Sequence, residues 1–324
     1  MKRKKEKVIS IRTKLLGIIL PVVIVIVTIL VGISYKISRT TVEKAAQNLL
    51  QTSVENQVSE IEAWLNTNLS ALGAVKQSIE TMGSMGMTDD WLQQLLNGYF
   101  GYNNNYPQGL YVADASGKIM TAEGSAKAES DPVNSVWYQE GMKRVNMAFT
   151  SAYTNAQGEA QISASGILND GSSELKVIAA DLSLQKIGII VSSLVSMDQA
   201  QAFLVDSTDL SILAHRDSSL VSAKLDESQD AFLKDVAARL KEDDLSTVQI
   251  DGNMAAFAEI TGADWILVSY VPVKAIYRDV DHIRTSMIIV GVICVLLLAV
   301  LIERVVYVVI RPIKGLTKAI TAMT

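Results

Sequence analysis

The sequence predicts an α+β protein in which a long N-terminal helix precedes two tandem antiparallel-sheet modules, with a transmembrane helix at each end. Three observations support this fold class. Two charge-free apolar runs lie near the ends of the 324-residue chain. Between them, helical periodicity first continues over residues 38–82 without a proline. A strand–turn–strand pattern with an Asp in the turn then occurs twice, and such segregation of helices and strands is typical of α+β domains.

Residues 15–35 and 286–310 are predicted to cross a membrane. The first apolar run has 20 residues without a charge, and the second has 16. Because a spanning helix needs about 20 apolar residues, the second segment fits when Glu303 and Arg304 lie near the interface. Buried core helices are the alternative interpretation. A cleaved secretion signal is disfavoured, since the first run is too long and no small-residue cleavage site follows it.

The charge distribution predicts which side of the membrane each segment occupies. Residues 1–14 carry seven Lys or Arg and one Glu, and the net charge after Ile302 is +3. Segments rich in Lys and Arg stay in the cytoplasm. The chain's net charge of −5 therefore leaves −14 on residues 15–302. The domain at 36–285 is expected outside a cell membrane that the chain crosses twice, and its acidity argues against nucleic-acid binding.

The external domain begins with a long helix predicted at 38–82. Its apolar residues recur with helical spacing, and its first glycine is Gly73. A helix of this length is expected to pack along its own domain and against a second copy, which predicts a homodimer. A purely structural role is the favoured interpretation of this helix.

Two modules are predicted after the long helix, at 90–185 and 195–275. In the first module, two strands flank a turn at Asp114, and in the second they flank a turn at Asp206. The first module continues with a short helix and three strands. The second continues with the amphipathic helix AFLKDVAARLKEDD and further strands. Each module is expected to form an antiparallel sheet with helices at its side.

The reactive residue types predict neither an enzyme nor a site for a metal or cofactor. Cys294 is the only cysteine and lies in the second span, so the external domain has no disulfide and no thiol nucleophile. His215 and His282 are far apart and lack the spacing of metal ligands. The sequence contains neither G-x-S-x-G nor H-E-x-x-H.

This order of elements resembles the double Cache family of bacterial extracellular sensors. Residues 311–324, RPIKGLTKAITAMT, resemble the start of a HAMP linker, in which Arg-Pro-Ile precedes an amphipathic helix. Its apolar positions are Ile313, Leu316, Ile320 and Met323. The resemblance implies two PAS-like Cache modules. It also implies a methyl-accepting chemotaxis receptor, or a sensor kinase or cyclase of the same layout.

The resemblance also implies a ligand site in the first, membrane-distal module. In amino-acid-binding members of the family, a Trp-Tyr pair, a later Tyr and an Asp form this site. The matching residues here are Trp137 and Tyr138, within DPVNSVWY, followed by Tyr153 and Asp181. A carboxylate holds an ammonium group, and aromatic faces attract a cation. Tyr111, in the first strand, completes this set of candidates.

Two positions depart from the family pattern. The Arg that would hold a ligand carboxylate aligns with Ser135, and an early Tyr aligns with Ser130; both serines remain candidates. Losing the Arg removes charge-assisted bonds of about 1.5–3 kcal/mol each. An amine, a quaternary amine or an amino-acid-like cation is therefore favoured over an ordinary zwitterionic amino acid, and an uncharged heterocycle is the alternative. Lys127 and Lys143 lie nearby in sequence, but the pattern assigns them no place.

The candidate residues also have structural interpretations. Trp137 could belong to the core, and Asp181 could cap a turn or pair with a Lys. The predicted function is sensing of a small extracellular molecule, relayed through the second span to cytoplasmic signalling proteins, with chemotaxis as the first choice. The alternatives are the sensor of a histidine kinase or cyclic-dinucleotide enzyme, and a structural or adhesive ectodomain without catalysis.

Overall fold

The computed structural model describes residues 11–86, 88–127, 131–155, 160–193, 199–305 and 307–308. The chain divides into two compact units, one of residues 47–275 and one of its two ends, 1–46 and 276–324. The candidate Ser130, the HAMP-like segment 311–324 and the basic residues 1–10 lie outside the described residues.

The fold class is confirmed: a long N-terminal helix precedes two antiparallel sheets, and two helices are apolar and long enough to span a membrane. The helices are α1 (Ile11–Ser84), α2 (Asp89–Tyr99), α3 (Val136–Gly141), α4 (Leu184–Ser193), α5 (Ala231–Lys241) and α6 (Val273–Val305). The strands are β1 (Leu110–Asp114), β2 (Ile119–Met120), β3 (Ala148–Phe149), β4 (Tyr153–Thr154), β5 (Ala160–Leu168), β6 (Lys176–Ser183), β7 (Gln201–Asp206), β8 (Ile212–Ala214), β9 (Val248–Ile250), β10 (Asn253–Ile260) and β11 (Trp265–Pro272).

In the unit of the chain ends, α1 and α6 lie against each other. They approach closely at Gly291, where a Cβ would lie 2.9 Å from Cγ1 of Val27. Polar groups join the same two helices beyond the apolar stretches. The hydroxyl of Tyr35 in α1 donates to Asp281 in α6 at 3.3 Å, and the guanidinium of Arg284 in α6 lies 5.1 Å from the centroid of the Tyr35 ring.

α1 extends further than the predicted helix because the apolar run continues into it without a break. Within the 47–275 unit, α1 contacts both sheet modules through its carboxylates. Glu62 accepts from the backbone N–H of Thr261 at 2.6 Å, and Glu80 accepts from that of Asn169 at 2.9 Å. The same part of α1 buries an apolar stripe of Leu50, Val54, Ile61, Leu65, Leu72 and Ile79.

The first module, α2 to β6, contains an antiparallel sheet in the order β2-β1-β6-β5-β3, with β4 also paired to β5. The helix α3 covers one face of this sheet and packs against β5 and β6. A Cβ at Gly141 would lie only 2.6 Å from Cγ1 of Val177, so the glycine permits this close packing. The opposite face buries Leu110, Val112, Ile162, Ala164, Ile178, Ala180 and Leu182.

The second module, β7 to β11, has the sheet order β8-β7-β11-β10-β9. The predicted amphipathic helix is α5, and Asp230 caps it by accepting from the N–H of Leu233 at 3.2 Å. The helix α4, which joins the modules and packs on β7 and β8, was not predicted. It is short and contains Gly188, which weakens its sequence signal. Its buried residues are Leu184, Ile187 and Val191.

Candidate functional site

Strand register places the key candidate residues on one face of the first sheet. Asp181 in β6 lies directly opposite Ser163 in β5. Tyr111 in β1 pairs with a residue two positions before Asp181, and Tyr153 in β4 pairs with a residue two positions before Ser163. Because side chains alternate between faces along a strand, all four point to the same side. This is the face that α3 covers.

Asp181 is the centre of a hydrogen-bonded cluster on that face. Its Oδ1 accepts from the hydroxyls of Ser163 at 2.6 Å, of Tyr153 at 3.1 Å and of Tyr111. Its Oδ2 accepts from Nζ of Lys127 at 3.0 Å. The Asp181 side chain is only 11% exposed, so these donors replace most of its contact with water. The structure therefore brings Tyr111, Tyr153 and Asp181 together.

Lys127 contributes a cation to this cluster. Its side chain is 10% exposed, and Nζ lies 4.4 Å from the ring centroid of Tyr111 and 5.5 Å from that of Trp137. An ammonium within about 6 Å of aromatic rings is stabilised by their quadrupoles. We call the space beside Asp181 Oδ2 and over these two rings the ammonium position. The sequence alone assigns Lys127 no place among the site residues that the family resemblance implies.

The loop that carries Lys127 is tied to the rest of the module. The side chain of Gln108 accepts from the backbone N–H of Ala126 at 2.9 Å. The hydroxyl of Ser125 accepts from the N–H of Lys127 at 3.2 Å. These contacts fix the position of the Lys127 backbone at the edge of the cluster, and its side chain extends from there to Asp181.

The Trp-Tyr pair lies in α3 and faces the sheet. Trp137 is fully buried, and its ring meets that of Tyr111 edge-on at 4.8 Å between centroids. Tyr138 is 3% exposed and contacts Trp137 at 5.7 Å. Both rings belong to an apolar cluster with Val177 and Ala179. Trp137 is therefore a core residue of this cluster, and its ring also lies 5.5 Å from Nζ of Lys127.

The two tyrosine hydroxyls act as hydrogen-bond donors to Asp181. Burial, followed by the negative charge of Asp181, raises the pKa of Tyr111 well above its usual value. The same two causes raise the pKa of Tyr153. Both hydroxyls therefore keep their protons at neutral pH. Gln161 adds a further contact by donating to the Tyr153 hydroxyl at 2.8 Å.

Other candidates lie apart from this cluster. Ser135 occupies the N-cap position of α3 but makes no side-chain capping bond, and its hydroxyl donates instead to the carbonyl of Pro132. Lys143 is exposed. Ser163 and Gln161 were missed, although their alternation with apolar residues in QISASG indicated a strand with a polar face.

Comparison with known proteins identifies the family. A Cache domain model matches residues 34–280. The chain belongs to the Cache domain family. The methyl-accepting chemotaxis protein PctB of Pseudomonas aeruginosa (strain PAO1) is 23% identical over 290 residues, which cover 87% of this chain and 44% of PctB. This Cache chain thus spans less than half the length of that relative.

Solved structures share the Cache fold of this chain. The ligand-binding domain of the Pseudomonas fluorescens chemoreceptor CtaA in complex with L-isoleucine matches with a TM-score of 0.59 and 23% identity, covering 74% of this chain and 98% of that domain. The ligand-binding domain of Mlp24 with asparagine matches at 0.57 and 18%, covering 75% and 98%. PctB is named a methyl-accepting chemotaxis protein, and CtaA is named a chemoreceptor.

The chemistry available at the site is recognition of charge and hydrogen bonding. One ammonium and three hydroxyls each hydrogen-bond to the Asp181 carboxylate, and the ammonium lies over two aromatic rings. Across the part of the chain that the structure describes, no group of three His, Cys, Asp or Glu side chains could hold a metal ion.

Proposed function

We propose that this Cache domain is the extracellular sensor of a transmembrane chemotaxis receptor and that it binds a small amine in the membrane-distal module. Membership of the Cache family supports a sensing role, and the similarity to PctB supports chemotaxis as the output. Two apolar helices flank the Cache domain, as fits a membrane receptor. A kinase or cyclase output is the alternative.

The position of the Lys127 ammonium is the observation that supports an amine as the ligand. It lies 3.0 Å from Asp181 and over the rings of Tyr111 and Trp137, so the ammonium position accommodates a group of this kind. A ligand amine would make the same contacts. Tyr138 packs against Trp137, and Tyr153 donates to Asp181, so both tyrosines contact a residue that borders this position.

An ordinary amino acid fits this site less well than an amine. The similar domains of CtaA and Mlp24 were solved with L-isoleucine and asparagine, which carry a carboxylate beside the ammonium. The position where the family resemblance places an Arg is Ser135, and its hydroxyl is directed to the Pro132 carbonyl. Without that guanidinium, a ligand carboxylate loses bonds of about 1.5–3 kcal/mol each. The proposed ligand therefore carries a cation without an adjacent carboxylate.

The signal would reach the cytoplasm through the helices that continue from the sensor. Ligand binding shifts the balance between two arrangements of a homodimer only by its difference in affinity for them, typically about 1–3 kcal/mol. The second span and the HAMP-like segment 311–324 would pass this shift to cytoplasmic signalling proteins. The domain itself has no catalytic role in this proposal.

The test is binding to the whole chain in lipid nanodiscs, measured by calorimetry against amines, amino acids, nucleobases and organic acids. We expect binding of an amine that is lost in Asp181→Asn and Trp137→Ala. Asp209→Asn is the matched control, because this turn carboxylate lies in the second module and accepts from the N–H of Ser211. Binding of organic acids that Asp181→Asn leaves unchanged would refute the amine assignment.

A further inference from the structure

The cluster around Asp181 already contains one cation at the place that the proposed ligand would take. Oδ2 accepts from Lys127, and Oδ1 accepts from three hydroxyls. A carboxylate offers about four acceptor sites in all. A ligand ammonium that entered beside Lys127 would meet a like charge within a few ångströms, in a site with little water. The two cations therefore compete for one carboxylate.

Lys127 can compete with a ligand because hydrogen bonds fix the backbone of its loop next to Asp181. Its backbone is held through Ser125 and Gln108, whereas its side chain is a flexible four-carbon stem with the ammonium at the tip. The stem can swing the ammonium out to water while the backbone stays in place. Aromatic rings and the Asp181 carboxylate would then face the incoming amine instead.

We infer that Lys127 is a specificity-determining residue that fills the ammonium position, so that a cationic ligand binds by replacing it. This inference rests on the proposed function, since it concerns the same site and the same class of ligand. The apparent dissociation constant of a ligand equals its intrinsic value divided by the fraction of protein that can bind. If Lys127 fills the position in about 90–99% of molecules, it weakens amine binding about ten- to a hundredfold. Small amines without further contacts are thereby rejected, and ligands with additional binding surface are selected.

The first test compares amine binding to wild type, Lys127→Met and Lys118→Met, each as the full chain in nanodiscs. The probes are n-propylamine and tetramethylammonium, with propionate as an anion of matched size. Met keeps an unbranched stem and removes the charge. Lys118 is an exposed lysine in the β1–β2 hairpin, so its variant controls for loss of a surface charge. We expect Lys127→Met to bind the amines at least about tenfold more tightly than wild type and Lys118→Met to match wild type.

The second test follows Lys127 in the wild-type chain and does not depend on a variant that folds. Acetylation by an N-hydroxysuccinimide ester is measured residue by residue with mass spectrometry. Lys127 should react more slowly than Lys118, because its ammonium is held by Asp181. Tetramethylammonium has no N–H to consume the reagent, and saturating amounts should accelerate acetylation of Lys127 severalfold while leaving Lys118 unchanged. Asp181→Asn should accelerate it without any ligand.

The outcomes separate the inference from the function on which it rests. Tighter amine binding by Lys127→Met supports both. If wild type and Lys127→Met bind amines equally tightly, the proposed amine ligand is supported, but the inferred role of Lys127 is overturned. Loss of amine binding, or of propionate binding, in Lys127→Met shows that this lysine contacts the ligand directly, which overturns the inference. If no amine binds wild type or Lys127→Met, the proposed ligand class is wrong. In the acetylation test, an unchanged rate at Lys127 in Asp181→Asn would show that Asp181 does not hold the Lys127 ammonium in the ligand-free protein.

Discussion

The ion pair between Lys127 and Asp181 should respond unequally to the loss of its two partners. Asp181→Asn keeps the size of the side chain but removes the negative charge, so a lysine side chain that is 10% exposed loses the carboxylate at its tip. It also weakens the three hydroxyl bonds to the side chain at position 181, since their acceptor loses its charge, and hydrogen bonds to a charged group contribute about 1.5–3 kcal/mol each. Lys127→Met instead leaves Asp181 with the hydroxyls of Ser163, Tyr153 and Tyr111. It removes one charge-assisted bond, which corresponds to about 1.5–3 kcal/mol.

The measurement is equilibrium unfolding in urea, with the chain in detergent micelles and tryptophan fluorescence as the signal. All four tryptophans lie within residues 47–275, so the signal reports that unit. We expect Asp181→Asn to lower the free energy of unfolding more than Lys127→Met does. The double variant should cost less than the sum of the two by about 0.5–3 kcal/mol, because the partners contact each other. The control Lys118→Met should stay within about 0.5 kcal/mol of wild type.

Two results would refute this reasoning. If the two single variants add within about 0.3–0.5 kcal/mol, the side chains are not energetically coupled. If Lys127→Met costs more than Asp181→Asn, the three hydroxyls do not stabilise the carboxylate that remains.

Three further predictions concern the packing and ionisation of the same molecule. Gly141→Ala should destabilise the 47–275 unit by about 1–3 kcal/mol in urea unfolding, because the new methyl group overlaps the sheet. The control Gly98→Ala in α2 has open space around the new methyl group and should be neutral or stabilising. Equal effects of the two variants on the free energy of unfolding would contradict the close packing at Gly141. The raised pKa of Tyr153 keeps its proton in the folded state above pH 10, where the unfolded chain loses it, so stability is full below pH 10 and falls as the pH rises. Tyr153→Phe should reduce that alkaline slope by up to about 1.4 kcal/mol per pH unit, and an unchanged slope would contradict the shift. In the unit of the chain ends, Gly291→Val should lower the temperature of aggregation in detergent, and Gly32→Val, which has open space, should not; a reversed order would contradict the close helix approach.

The sequence predicted the fold well because its signals are local. Apolar runs, the unbroken helical period of α1 and the turns at Asp114 and Asp206 each depend on neighbouring residues, and the structure confirms the resulting architecture. The exception, α4, is a helix whose position depends on packing against β7 and β8 rather than on its own sequence.

The site could be predicted only in part because its contacts cross the sheet. The resemblance to the Cache family selected Trp137, Tyr153 and Asp181, and their role in binding remains a prediction. Ser163 is recognisable only once β5 and β6 are paired in register. Lys127 reaches the site from a loop, and no periodic pattern predicts the distance from a loop residue to a carboxylate 54 positions later.

The pairing of Ser163 with Asp181 also limits how these strands can change length during evolution. The ladder between β5 and β6 runs without a break from Gln161–Ser183 to Leu168–Lys176. Inserting or deleting one residue within either strand would turn every side chain beyond that point to the other face of the sheet. Asp181 would then enter the apolar layer, and the cluster would be lost in a single step. Substitutions around the carboxylate leave this register intact, whereas changes in strand length keep it only in steps of two residues or within the connecting turn.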